Sequence, residues 1–316
     1  MSLQYAVRHV TRIRYREPVR ENLVELRMQP RSEDQQICLA FDLQVVPTAR
    51  IQSFRDYLGN TVHHFDVPHP HQDLEITALA RVQVSPPPPL PNRVDVAAWE
   101  ELERCGEEGD FFDFLTPTSR TRTAPALEQF GCELGVEKRE DPLTLLRELN
   151  QGLSGAIAYA PRSTEVDTPL EEVLERRRGV CQDYAHLFLA LARPLGIPCR
   201  YVSGYLYHRE QDTSTPDASH AWVEAFVPPL GWVGFDPTNN LVAAERHIRT
   251  ALGRDYTDVP PNRGTHKGSA ECDLSVAVQV RLAGQPMAED RFRSFPGEGS
   301  EPPSTPGWYQ AQQAQQ

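Results

Sequence analysis

The segment from Gly179 to Pro198 constrains the fold of this chain more than any other stretch. Its apolar and aromatic side chains recur at helical intervals up to the helix-ending run Gly196-Ile197-Pro198, which predicts one amphipathic helix that begins at Cys181. Unpaired backbone N–H groups and the positive end of the helix dipole surround a cysteine in that position, and both favour a thiolate over a thiol. The sequence therefore predicts a nucleophilic cysteine at a helix N-terminus.

A second short helix is predicted just before the cysteine. Thr168, Pro169 and Glu171 form the pattern of an N-cap, a first-position proline and a capping-box acid, and Gly179 ends this helix. Cys181 is thus expected between two helices whose ends are marked by sequence patterns.

Two later residues supply the groups that a cysteine nucleophile needs, a base to carry protons and a third group to orient that base. The segments 219–227 and 232–236 alternate like strands and are joined by a turn, so His220 at the start of one and Asp236 at the end of the other should meet at one end of a hairpin. A register shift of one residue would put them on opposite faces, and the sequence leaves that alternative open.

Four blocks of sequence carry a resemblance to a known family. Gly179–His186, Ile197–Tyr205, His220–Glu224 and Gly231–Thr238 resemble, in order and spacing, the bacterial transglutaminase-like family. The resemblance implies a papain-like α+β fold in which Cys181 is the nucleophile, His220 the general base and acid, and Asp236 the residue that orients the imidazole. The residues before the proline-rich segment resemble the β-rich N-terminal region that often accompanies this domain.

The neighbours of the nucleophile depart from the animal transglutaminases. Those enzymes have glutamine and tryptophan beside the cysteine, whereas Val180 and Gln182 stand here, which argues against protein cross-linking and leaves no side chain assigned to the oxyanion hole. The backbone N–H of Cys181 is the candidate donor. No calcium-binding loop of the Asp-x-Asp-x-Asp-Gly kind is present, and no cofactor or metal is predicted.

Four further residues are candidate substrate contacts. Thr164 and the pair Asp255 and Tyr256 lie in segments that resemble the family near the mouth of the cleft, and Trp222 shares a strand face with His220. For each of them packing or local hydrogen bonding is the competing interpretation.

The domain organisation follows from composition along the chain. Residues 1–84 carry several short strands without long helices and predict a small all-β, sandwich-like domain. Residues 85–93 are a proline-rich linker, 94–283 are predicted to form the papain-like transglutaminase-core domain, and 284–316 a flexible tail. The expected fold class is therefore α+β with an N-terminal β domain.

Composition excludes several classes of partner. The net charge of −12 argues against nucleic acid, which needs clustered Lys and Arg, and no apolar run has the length that a bilayer requires. The first residues alternate like a strand and do not resemble a signal peptide, so we expect a cytoplasmic protein with its six cysteines as free thiols. The oligomeric state is not specified by the sequence.

These features predict a thiol enzyme that acts on a peptide or protein amide through a thioester. Water as the second substrate would make it a protease or amidase, and an amine would make it a transglutaminase; the sequence leaves both open and slightly favours hydrolysis. An inert scaffold that binds a partner is the alternative.

A metal site is the third interpretation, and it is weakly supported. The residues Cys181, His186, Cys199 and His208 lack chelating spacing, and the histidines at 63, 64, 69 and 71 are interrupted by prolines.

Overall fold

The computed structural model describes residues 2–109, 111–268 and 270–287, together with the backbone of 293–295. Its strands are β1 (Leu3–Leu26), β2 (Gln36–Val46), β3 (Gln52–Arg55), β4 (Thr61–Val67), β5 (His71–Val84), β6 (Ala158–Tyr159), β7 (Arg178–Gly179), β8 (Cys199–Leu206), β9 (His220–Val227), β10 (Gly231–Asp236), β11 (Leu241–Val242), β12 (His247–Gly253), β13 (Asn262–Lys267), β14 (Cys272–Leu282) and β15 (Arg293–Phe295). Its α-helices are α1 (Ala98–Glu108), α2 (Phe112–Leu115), α3 (Pro125–Glu133), α4 (Pro142–Ala156), α5 (Leu170–Arg176) and α6 (Cys181–Ala192). Two 3₁₀ turns are present, Arg193–Leu195 and Tyr256–Asp258.

Strand β1 organises the N-terminal β domain. Its first half pairs with β5 on one edge and β14 on the other, and its second half pairs with β4 and β13. Buried side chains from both halves, such as Ile13 and Val24, join one apolar core. The sheet thereby folds over on itself, as the predicted sandwich-like domain requires.

Strands β13 and β14 belong to this β domain and not to the sheet of the second domain. Both β13 and β14 pair with β1, although the sequence-based division placed their residues in the 94–283 domain. Local alternation predicts that β14 is a strand but carries no information about its partner, because the pairing joins residues from the two ends of the chain. Residues 288–292 and 296–316 of the predicted tail lie outside the described part.

The second domain contains a core sheet of five antiparallel strands with helices packed on it. The strand order is β11-β10-β9-β8-β12, and α6 lies between β8 and β9 on one side and α3, α4 and α5 on the other. All 12 residues of α6 are buried as a result. The prediction of an amphipathic helix was wrong in this respect, because helices cover the face that was expected to meet solvent. The predicted helix start at Cys181 is confirmed.

The shorter helix before the cysteine begins and ends differently from the prediction. Helix α5 has Pro169 at its N-cap without a side-chain cap, and the hydroxyl of Thr168 accepts instead from the backbone N–H of Glu165. Arg177, in the left-handed conformation, ends the helix. Gly179 follows in β7, which runs parallel to β6.

The two domains meet along the free edge of β12. The side-chain amide of Gln36 makes two hydrogen bonds to the backbone of Arg249, with lengths of 2.9 and 2.8 Å. The amide of Asn60 does the same at Leu252, with both bonds at 2.8 Å. Two side chains of the β domain therefore form hydrogen bonds with backbone groups on the edge strand of the core sheet, which would otherwise be left unpaired.

The proline-rich segment between the domains contains neither helix nor strand, and Arg147 donates to the carbonyls of Pro91 and Asn92. Among the described residues, no helix is both long enough and apolar enough to cross a membrane.

Candidate active site

Three elements bring Cys181, His220 and Asp236 together. Cys181 is the first residue of α6, His220 the first of β9 and Asp236 the last of β10. Phe235 pairs with Val223 in the antiparallel register of β9 and β10. Asp236 therefore stands opposite Trp222, two residues from His220, and residues two apart on a strand share a face. The register places the imidazole and the carboxylate on the same side of the sheet.

The three side chains lie in a line. His220 Nε2 donates to Asp236 Oδ2 at 2.8 Å, and the thiol of Cys181 lies close enough to the same imidazole to raise its pKa. Because Nε2 faces the carboxylate, Nδ1 is the nitrogen left for the thiol. The side chains are enclosed, with 2% of Cys181, 1% of His220 and none of Asp236 exposed.

The electrostatics of this line favour a charged imidazole. Burial by itself would lower the pKa of His220, but the Asp236 carboxylate and the Cys181 thiol raise it well above its ordinary value. Burial would likewise raise the pKa of Asp236, whereas the charge and hydrogen bond of His220 and the hydrogen bond of His247 hold it well below its ordinary value. An imidazolium beside the thiol is the partner that a reactive thiolate needs.

The first turn of α6 leaves backbone N–H groups beside the cysteine without an acceptor in the helix. The N–H groups of Asp183 and Tyr184 bond to the carbonyl of Val180. The N–H groups of Cys181 and Gln182 precede them and have no acceptor within the helix. The side chain of Gln182 donates to the carbonyl of Val166 at 3.3 Å. The backbone N–H of Cys181 is therefore available at the nucleophile, as the sequence predicted for an oxyanion donor.

Thr164 supports the turn that presents the cysteine. Its hydroxyl donates to Asp183 Oδ2 at 2.6 Å, and the same oxygen accepts the backbone N–H of Val180 at 2.8 Å. Thr164 is 4% exposed. The hydroxyl therefore has an internal partner in Asp183, and its contact with substrate stays a prediction. Gly179 belongs to the same arrangement, since a Cβ there would lie 2.8 Å from Asp183 Oδ2.

Asp255 and Tyr256 are also internal. Asp255 accepts the backbone N–H of Thr257 at 2.7 Å, and the backbone N–H of Tyr256 donates to His186 Nε2 at 3.3 Å. Both side chains are buried, and burial also lowers the pKa of His186 to about 3. These residues tie the second 3₁₀ turn to α6, and their contact with substrate stays a prediction. His186 is a packed helix residue.

Trp222 packs under the imidazole instead of lining an open cleft. Its ring is stacked with that of His220, with centroids 6.1 Å apart and planes at 26°. It also meets His247 edge-on, with centroids 5.1 Å apart. Trp222 is 1% exposed, so its contribution is to hold both rings from the sheet side.

Two residues at the carboxylate were missed by sequence reasoning. Asp236 Oδ2 accepts from Asn239 Nδ2 at 2.8 Å and from His247 Nε2 at 3.1 Å. Asn239 could have been found, because an aspartate followed within three residues by asparagine is typical of a side-chain-bonded turn. His247 had no local signal, since the pairing of β12 with β8 brings it to the site.

Metal-type ligands converge at one place in the part of the chain that the structure describes. The donor atoms of His220, Asp236 and His247 lie within 4.8 Å of one another. Each of the three takes part in the hydrogen bonds given above. The alternative site from Cys181, His186, Cys199 and His208 is not assembled among the described residues, and neither is one from the N-terminal histidines.

A loop before His220 is bonded to residues near the cysteine. The segment 207–219 joins β8 to β9, and the hydroxyls of Thr215 and Tyr159 share a hydrogen bond of 3.2 Å. Tyr159 pairs with Gly179, close to the nucleophile. Ser214 ties the loop to the site, because its backbone N–H donates to Asn239 Oδ1 at 2.9 Å.

Comparison with known proteins gives consistent results. Residues 133–237 match the model of the transglutaminase-like superfamily, and residues 5–83 match that of the bacterial transglutaminase-like N-terminal region. An uncharacterized protein of Mycobacterium leprae is 34% identical over 280 residues, which cover 87% of this chain and 98% of that protein. A protein-glutamine gamma-glutamyltransferase of Pseudomonas aeruginosa is 33% identical over 103 residues, which cover 29% of this chain and 14% of that protein.

A solved structure shares the fold along most of the chain. It is a candidate cysteine protease from Cytophaga hutchinsonii, with a TM-score of 0.72 and 22% identity over 91% of this chain and 93% of that one.

Proposed function

The chain belongs to the bacterial transglutaminase-like family, and on that premise we propose that it is a thiol enzyme that cleaves or transfers an amide acyl group through Cys181, His220 and Asp236. The observation that supports this most is the buried line from the Cys181 thiol past the His220 imidazole to the Asp236 carboxylate, in which the imidazole bonds the carboxylate at 2.8 Å. Such a line has a nucleophile, a proton carrier and an orienting group in the order that covalent catalysis needs.

The first half of the reaction forms a thioester. The thiolate of Cys181 attacks the amide carbonyl, a carbon–sulfur bond forms, and the oxyanion accepts a hydrogen bond from the backbone N–H of Cys181. The carbon–nitrogen bond then breaks as the imidazolium of His220 donates its proton to the departing amine. The acyl group remains on the sulfur, and the imidazole is left neutral.

The second half releases the acyl group. Water or an amine attacks the thioester, His220 takes up the proton of the attacking group, and the thiolate leaves as the carbon–sulfur bond breaks. The imidazolium and thiolate are then restored. Throughout, Asp236 holds the tautomer and orientation of the imidazole and stabilises its charged form.

Hydrolysis is the outcome we favour, with a peptide or protein amide as substrate. Val180 and Gln182 flank the nucleophile where animal transglutaminases have glutamine and tryptophan. Transfer to an amine is the second candidate, supported by the similarity to the protein-glutamine gamma-glutamyltransferase of Pseudomonas aeruginosa, which matches over 29% of this chain. An inert scaffold is disfavoured because the polar line at the site is complete, and a buried polar line without a function would cost stability.

The test uses the full chain with a glutamine-containing peptide and a labelled primary amine, and mass spectrometry of the products. Release of the acid without labelled amine indicates hydrolysis, and incorporation of the label indicates transfer. We expect Cys181→Ala and His220→Ala to lose at least about a thousandfold in rate. Cys132→Ala is the matched control, because Cys132 is a free and exposed thiol outside the site, and it should keep full activity.

The scaffold alternative has its own signature. If the parent protein forms neither product from glutamine or other peptide amides, and its Cys181 is alkylated by iodoacetamide no faster than Cys132 or the other free thiols, the proposed activity is wrong.

A further inference from the structure

We propose that His247 is a fourth member of this site, a positioning residue that holds the Asp236 carboxylate, and through it His220, from the edge strand of the core sheet. The proposal rests on the proposed function, because it assigns a role in the same reaction. His247 acts through the carboxylate. It does not contact Nδ1 of His220 or the N–H groups at the start of α6.

The geometry of His247 determines which of its nitrogens carries the proton. The backbone N–H of Ala244 donates to Nδ1 at 3.3 Å, so Nδ1 must be the unprotonated nitrogen of a neutral ring. Nε2 then bears the hydrogen and donates to Asp236 Oδ2 at 3.1 Å. His247 is 5% exposed, so this donor is shielded from competing water.

Two other residues that donate to the carboxylate lie in a different part of the chain from His247. Thr238 and Asn239 give Oδ1 their backbone N–H groups at 3.1 and 3.2 Å, and Asn239 gives Oδ2 its side-chain amide. Both residues belong to the turn just after Asp236 and move with it. His247 stands on another strand, so besides His220, the ring that the carboxylate orients, it is the donor that holds the carboxylate from a separate part of the sheet.

The surrounding charges keep His247 a neutral donor. Burial lowers the pKa of His247, and the carboxylate of Asp236 opposes that effect only in part. The titratable and charged groups around the carboxylate and its two histidines are Cys181, His208, Asp212, His220 and Arg246. Arg246 is paired with Asp212 at 2.8 Å, and burial lowers the pKa of His208 to about 4. Of the three histidines, only His220 is therefore favoured as a cation at neutral pH, and His247 bonds the carboxylate without competing for its charge.

The position of His247 is itself supported from the β domain. It is the first residue of β12, whose free edge is bonded by Gln36 and Asn60 further along the strand. The ring of Trp222 packs against those of both His247 and His220. The N-terminal domain thus contributes to the site by anchoring the strand that carries the positioning histidine.

The experiment compares His247→Ala with His247→Gln in the full chain. A glutamine can accept from the Ala244 N–H and donate to Asp236, whereas alanine can do neither. With a peptide amide identified as a substrate, we expect His247→Ala to lower kcat by about 10- to 100-fold at a KM within about twofold of the parent, since it removes a hydrogen bond to a charged group that substrate does not touch. His247→Gln should retain kcat within about threefold.

A second readout needs no substrate. Iodoacetamide labelling of Cys181 is measured at about pH 6.5 and about pH 9, on either side of the range in which an ordinary free thiol ionises. If His247 holds the pairing that keeps His220 charged, His247→Ala lowers the ratio of the acid rate to the alkaline rate by at least about threefold, and His247→Gln does not. Urea unfolding of each variant shows that it is folded under the labelling conditions.

The outcomes separate the two proposals. If Cys181 of the parent protein reacts preferentially, and His247→Ala has the same kcat and the same labelling ratio as the parent, the proposed role of His247 is wrong while the proposed function stands. An equal loss of kcat in His247→Ala and His247→Gln would also overturn the positioning role. If the Cys181 of the parent is not preferentially reactive, the proposed function fails, and the positioning role fails with it.

Discussion

Asp183→Asn should be more stable than the parent protein, by an amount that grows as pH rises, although the substitution removes a charge from the start of a helix. Asp183 is buried in the first turn of α6, where Oδ2 accepts from Thr164 and from the backbone of Val180. Burial outweighs these hydrogen bonds and raises the pKa of Asp183 from 3.8 to about 6. An asparagine keeps an oxygen that can accept both bonds and has no proton to lose.

The sign of the effect follows from the direction of the shift. A carboxyl whose folded-state pKa lies above its unfolded value favours folding fully below about pH 4, and this contribution is lost as pH rises through about 6. The shift of about two units corresponds to about 3 kcal/mol at about 1.4 kcal/mol per unit. About half of that loss develops between about pH 5 and pH 8, where the rest of the protein is expected to remain folded.

The assay is urea unfolding of the parent and Asp183→Asn at several pH values in that window. We expect the free energy of unfolding of the variant, minus that of the parent, to grow by about 1.5 kcal/mol between about pH 5 and pH 8. The difference removes contributions that the two proteins share, including those of His220 and His247. A difference that stays flat or falls with pH would refute the assignment of Asp183 as a carboxyl whose pKa burial raises.

Asp141 provides a matched control of opposite sign. It caps α4, accepting the backbone N–H groups of Leu143 and Thr144 and the hydroxyl of Thr144 at 2.6 Å. Although burial acts to raise its pKa, these hydrogen bonds outweigh it and lower the pKa of Asp141. Its contribution to stability is present above its unfolded pKa and is lost only as pH falls. Asp141→Asn should therefore be less stable than the parent by a constant amount across the same window.

Three further predictions concern the site and its support. Asp236→Asn should lower kcat by about 10³- to 10⁴-fold while the protein stays folded by circular dichroism, and near-parental activity would contradict its orienting role. Gly204→Ala should lower the free energy of unfolding by roughly 3 kcal/mol or more, because a Cβ there would lie 2.1 Å from the backbone oxygen of Ile248. Gly155→Ala, with no atom within 4 Å of the added Cβ, is its control, and equal urea midpoints for the two would argue against this clash. Tyr159→Phe removes the hydroxyl bond to the loop between β8 and β9, so iodoacetamide should label the nucleophile faster; an unchanged rate would show that this bond does not limit access.

Local sequence was sufficient for the family, the α+β class and the start of α6 at Cys181, all of which are confirmed. Helix periodicity, a glycine and proline stop and strand alternation depend on residues close in the chain, so they are visible without a structure. The hairpin of β9 and β10 is of the same kind, and its observed register puts His220 and Asp236 on one face. The catalytic roles of these residues remain a prediction.

Residues distant in sequence account for what local patterns missed. Thr164 and Tyr256 were chosen from segments that resemble the family, yet the packing around α6 turns both inward. Whether a polar side chain faces a substrate or a neighbouring helix depends on which elements cover it, and that is a property of the assembled layers.

The amino-acid sequence by itself therefore determined the elements that carry the nucleophile, the base and the carboxylate, because each element is encoded by a local pattern. Only the tertiary structure decided that β13 and β14 complete the N-terminal sheet, that α6 is buried on every side, and that His247 reaches Asp236. Each of these depends on strand or helix partners far apart in the chain, and a strand's alternation specifies which of its faces is apolar but not which strand lies beside it.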